Sequence, residues 1–147
     1  MITNRVSRRI FLPLSAALIF AGPMFVSYST NAVAVDIKVT LAGDQEVPPV
    51  KTAGAGSGTI IVSTDKSVSG SVMTTGIVGT AAHIHEAAAG QNGPVIIPLT
   101  QAGDTYSVPA GAKLTDAQFA SFQAGKLYVN VHTAANPGGE MRAQLKP

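Results

Sequence analysis

Three histidines are present in 147 residues, and all three fall in two short segments, "AAHIHEA" (81–87) and "LYVNVHT" (127–133). Each segment runs into a loop rich in Gly and Pro, "AAGQNGP" (88–94) and "AANPGG" (134–139). On a strand, His83 and His85 share one face with their backbones about 6.6 Å apart, from a rise of about 3.3 Å per residue. Both rings can then lean toward a single ion at about 2.0–2.1 Å, the usual metal–imidazole distance. His132, arriving from a neighbouring strand, would complete a three-nitrogen site with one position open. Copper and zinc both suit imidazole, and copper has the higher intrinsic affinity. The same rings would equally serve by hydrogen-bonding the two loops into place, and the residues alone leave both readings open.

Alternation along a strand says where each side chain points. Ala82 and Ile84 share one face and His83 and His85 the other; Leu127, Val129 and Val131 oppose Tyr128, Asn130 and His132. In "GEMRAQL" (139–145), Met141, Ala143 and Leu145 turn inward, leaving Glu140, Arg142 and Gln144 outside. All three histidines are therefore expected on an outer face, where charging them would cost the fold little. Glu140 is a possible additional ligand, with a surface pairing to Arg142 or a lysine as its ordinary role. Met73 and Met141 offer soft thioethers for Cu(I), but core packing suits both better. The chain has no cysteine, so thiolate metal sites, a thiol nucleophile and disulfides are all excluded.

The elements that must position these residues are short and β-rich. "VDIKVTLAG" alternates Val35, Ile37, Val39 and Leu41 with polar or small residues, as a half-buried strand does. "EVPPVKTAGAGSG" is a long Pro/Gly connection. "SGTIIVSTD" and "SVSGSVMTTGI" read as strands joined in a hairpin at Asp65-Lys66. "PVIIPLT" and "DTYSVPA" are short strands punctuated by proline, as edge strands are. One helix is expected near 115–124, with Thr115 as N-cap, Gln118 three residues on, Phe119 and Phe122 as anchors, and Gly125 as the stop. The sum is an all-β fold: an antiparallel, Greek-key-like β-sandwich or flattened barrel of seven or eight strands.

Residues 1–34 read as a signal peptide. Arg5, Arg8 and Arg9 form a basic head, Ile10 to Val26 an apolar stretch, and "NAVA" carries the small residues Ala32 and Ala34 before a cleavage point. "SRRIFL" also resembles a twin-arginine export signal; a general secretory leader is the alternative. Cutting there leaves one domain, 35–147, destined for the periplasm or secretion. Its seven Lys+Arg face eight Asp+Glu, a net charge of −1, so no basic patch for nucleic acid survives and no membrane span remains. The expected partners are a metal ion and an extracytoplasmic protein.

Other chemistry has little support. No Gly-x-Ser-x-Gly elbow occurs, Asp65, Asp104 and Asp116 sit in turn or cap contexts, and "GAGSG" lacks the Lys-Ser/Thr of a phosphate loop. A Glu46–Glu140 acid–base pair is the remaining carboxylate option.

"LAGDQEVPPVKTAGAGSGTI", "AAHIHEAAAGQNGPVIIPL" and "LTDAQFASFQAGKLYVNVHTAANPGGEMRAQL" together resemble the chordin-type (CHRD) domain over residues 39–145. That resemblance implies an extracytoplasmic, non-catalytic binding module. "HIHE" is also similar to the His-Val-His-Glu strand of Cu/Zn superoxide dismutases, which are Greek-key sandwiches. It implies His83 and His85 as a copper-binding pair, His132 as the later copper ligand, and a copper oxidoreductase as a further alternative. Two departures stand against a dismutase: three histidines cannot serve both a copper and a zinc ion, and its disulfide is impossible here.

Overall fold

A computed structural model describes residues 32–147; the basic head, the apolar stretch and the twin-arginine-like segment lie outside the described residues. These residues form nine strands and one helix: β1 (Ala34–Leu41), β2 (Ala55–Ser63), β3 (Val68–Thr75), β4 (Gly79–Glu86), β5 (Val95–Pro98), β6 (Thr100–Ala102), β7 (Thr105–Ser107), α1 (Asp116–Gln123), β8 (Leu127–Thr133) and β9 (Met141–Leu145). They build two antiparallel sheets, β1-β2-β3-β7-β6 and β5-β4-β8-β9. The pair is a β-sandwich rather than a closed barrel. At one edge the sheets touch, because Ala42 and Arg142 exchange two backbone hydrogen bonds of 3.1 Å.

Alternation builds the core as expected. Ile37, Val39 and Leu41 of β1, Ile60 and Val62 of β2, Ala82 and Ile84 of β4, Val129 and Val131 of β8, and Met141 and Leu145 of β9 all meet between the sheets. A hairpin turns at Asp65-Lys66, with Lys66 donating to the Ser63 carbonyl and held at a positive φ of 68°. The helix runs from a complete capping box, the Thr115 hydroxyl accepting from the Gln118 amide and the Gln118 side chain accepting from the Thr115 amide. Phe122 plugs the core, Phe119 packs beside it, and Gly125 takes the positive φ of 67° that ends the helix.

Two expectations are corrected. "PVIIPLT" is not one strand but two: β5 belongs to the histidine sheet and β6 to the other. Leu99 makes the crossing, its amide bonding the Ala82 carbonyl at 2.9 Å, so the strand count rises to nine. Met73 does not pack in the core. It faces outward between Ser57 and Thr105 and is 54% exposed.

The larger departure concerns the outer face of the β4-β8-β9 sheet. Tyr128, Asn130 and Arg142 do point away from the hydrophobic core, yet they are 2%, 2% and 1% exposed. Two connections lie over them: the β1–β2 loop, which includes Glu46, and the β4–β5 loop, which includes Gln91, Asn92 and Gly93. The sheet thus carries a second, polar core on the face expected to meet solvent.

Candidate metal centre

Strand pairing assembles the site. β4 runs antiparallel to β8 with His83 opposite Asn130 and His85 opposite Tyr128, and β8 pairs with β9 with Asn130 opposite Arg142. His132 stands two residues from Asn130 on the same face. One nitrogen from each histidine lies within 4.8 Å of the others. A tetrahedral ion at about 2.05 Å from each nitrogen needs separations of about 3.4 Å, so small ring rotations close the set.

The other nitrogens fix which atoms are free. Nδ1 of His85 donates to the Gly93 carbonyl and Nδ1 of His132 to the Pro137 carbonyl, both at 2.9 Å. A carbonyl only accepts, so each Nδ1 carries a proton and each neutral ring leaves Nε2 bare. His83 Nδ1 lies 2.9 Å from His132 Nε2 and must then be the donor; an ion binding between these rings displaces that proton. Backbone carbonyls holding the non-ligating nitrogen are the usual support for metal-binding imidazoles. Gly93 permits one of these contacts, because a Cβ there would overlap the Glu86 carbonyl.

His85 is 7% exposed. Its ring stacks on Tyr128 with centroids 4.8 Å apart and planes 5° apart. The Arg142 guanidinium covers the Tyr128 ring at 3.6 Å. Arg142 in turn donates to Asn92 Oδ1 at 3.1 Å and to the Gln91 carbonyl at 2.7 Å, and Asn92 donates to the Val47 carbonyl at 2.7 Å. Arg142 therefore ties the β4–β5 loop to the sheet, and Asn92 links that loop to the β1–β2 loop. Burial holds the His83 and His85 pKa values below the ordinary imidazole range; His132 and His85 add to the shift at His83, and at His85 the Gly93 and Asn130 contacts oppose it while His132 and Arg142 add to it. Charging these rings is therefore costly, contrary to the expectation for an exposed face.

Glu140 belongs to a different set. Its carboxylate accepts from Thr133 at 2.8 Å and from Asn136. Hydrogen bonds from Thr52, Asn136 and Thr133 hold its pKa below the usual carboxylate range. The expected Glu140–Arg142 pairing is not formed, since the guanidinium is committed to Asn92, Gln91 and Tyr128. Glu46, expected as half of an acid–base pair with Glu140, is instead buried beside Arg142 and Asn130; burial raises its pKa, and those two neighbours oppose the shift. Tyr128, Asn130 and Arg142 were legible by parity as companions of the histidines, but their burial was not.

The CHRD domain family model matches residues 37–145. The chain belongs to the CHRD-domain family, and the sandwich and its histidine face are this member's form of it. No curated protein and no solved structure matches the chain.

Proposed function

We propose that this protein is an exported, non-catalytic CHRD binding module that holds one copper or zinc ion through His83 Nδ1, His85 Nε2 and His132 Nε2. The convergence of three nitrogens, two of them freed by carbonyl bonds on the opposite side of the ring, carries the reading. Family membership supports a binding role over a catalytic one. An N3 set without thiolate favours Cu(II) on intrinsic affinity and accepts Zn(II). The site of action is the periplasm or the medium, where an extracytoplasmic protein is the second partner.

Isothermal titration of residues 35–147 with Cu(II) and with Zn(II) tests it. One-to-one binding that disappears in the His83→Ala/His85→Ala/His132→Ala protein is expected. Binding undiminished in that variant removes the site.

The second reading is a structural or adhesive domain whose histidines only fasten loops. The bonds from His85 to Gly93 and from His132 to Pro137 favour it as well. It requires that metal leave thermal stability unchanged, whereas an ion that binds only the folded chain must raise it.

A further inference from the structure

Beside the histidines lie three buried side-chain atoms that make no hydrogen bond of good geometry: Glu46 Oε1, Asn130 Oδ1 and His85 Nε2. Asn130 stands between the other two residues. It is the cross-strand neighbour of His83, and its amide faces both the Glu46 carboxyl and the His85 ring. Gly139 lets the carboxyl settle there, because a Cβ at that position would lie 2.5 Å from Glu46 Oε1.

All three atoms are acceptors once His85 carries its proton on Nδ1. Unsatisfied, each costs about 1–3 kcal/mol. A single water offers two hydrogens and leaves one acceptor unmet. A cation at His85 Nε2 together with one water satisfies all three. Direct ligation by Asn130 would instead leave Glu46 Oε1 without a donor.

We infer that Asn130 and Glu46 position a water on the open coordination site of the metal, Asn130 Oδ1 and Glu46 Oε1 each accepting one of its hydrogens. This rests on the three-histidine reading. A cleft of about 220 Å³ between the Glu46–Val50 and Ala135–Gly139 segments opens on Glu46. A negative carboxylate on this wall disfavours anions at the same position. Glu46 and Asn130 are thus positioning residues that select a neutral fourth ligand.

The test uses protein loaded with one equivalent of Cu(II). Pulsed electron paramagnetic resonance in H₂¹⁷O reports the water and, separately, the imidazole nitrogens. Azide titration followed by visible absorption reports access by an anion. The wild type should show three imidazoles and one ¹⁷O-coupled ligand. Glu46→Gln, which keeps the side chain's shape, should bind azide at least tenfold more tightly with copper affinity reduced by about 10–100-fold, the usual cost of losing an outer-shell partner. Asn130→Leu should weaken the ¹⁷O coupling; if it does not fold, Glu46→Gln decides alone. Three coordinated imidazoles without a bound water overturn the inference and leave the metal site standing, as does a Glu46→Gln protein with unchanged azide affinity. A wild type without imidazole coupling overturns both.

Discussion

Arg142→Met is the most discriminating test of the covered face. The guanidinium makes two charge-assisted hydrogen bonds, stacks on Tyr128 and faces the Glu46 carboxyl. Methionine keeps much of the packing volume, so the loss is chiefly polar. Each bond to a charged group contributes about 1.5–3 kcal/mol, and the desolvated stack about 2 kcal/mol. Removing a buried charge relieves its own desolvation, and losing one partner of a buried pair costs about 3–5 kcal/mol in all. A loss of about 3–4 kcal/mol is expected. For a domain of this size, at about 4 °C per kcal/mol, Tm falls by about 12–16 °C. Urea unfolding of metal-free protein at pH 7.5, followed by circular dichroism, gives the value. The double variant Glu46→Gln/Arg142→Met supplies the control: in the Glu46→Gln background the arginine should matter less, with a coupling of at least about 1 kcal/mol. A loss below about 1 kcal/mol, or additivity within about 0.5 kcal/mol, refutes the claim that Arg142 both latches the β4–β5 loop and offsets the Glu46 charge.

Copper or zinc at a hundred times its dissociation constant should stabilise the fold by about 2.7 kcal/mol, a Tm rise of about 10 °C seen by calorimetry and reversed by chelator. Metal affinity should fall steeply from about pH 7 to about pH 5 as protons compete for the imidazoles; a flat titration profile points to carboxylate ligands. The metal-free domain should also lose stability below pH 6.5: the unfolded chain takes protons there first, because His83 and His85 are held low in the fold. Urea midpoints that stay level from pH 7.5 to 5.5 would place the rings in solvent. Glu46 acts in the opposite sense, since its raised pKa makes the folded state gain a proton first as pH falls toward 4.5; Glu46→Gln should remove that recovery.

Parity along β4 and β8 was enough to bring His83, His85 and His132 to one face, because a period of two leaves no freedom once Ile84, Val129 and Val131 are buried. The helix was equally legible, since Thr115, Gln118 and Gly125 each satisfy a backbone requirement locally. What alternation cannot express is whether a second layer lies over an outward face. The covering loops reach it through contacts far apart in the chain, such as Asn92 to Val47 and Arg142 to Gln91, and no local pattern encodes them. Hence Glu46 reads as half of an acid–base pair and Arg142 as a surface cation. The splitting of "PVIIPLT" has the same origin: Pro98 and Leu99 show a break, but not that the two halves join different sheets.

The paired amides of Ala42 and Arg142 also set an order of events. They close a circuit of about a hundred residues, and contacts so distant along the chain are made slowly and late. Until β9 docks, the loop that includes Glu46 has no Arg142 to face, and the Gln91–Gly93 loop loses its guanidinium anchor. Without β9, His83 and His85 therefore lack the guanidinium that covers Tyr128 and holds the Gln91–Asn92 segment. Docking of β9, which seats Met141 and Leu145 in the core and brings Arg142 under the Gln91–Asn92 loop in one move, is the step that finishes the surroundings of the histidines.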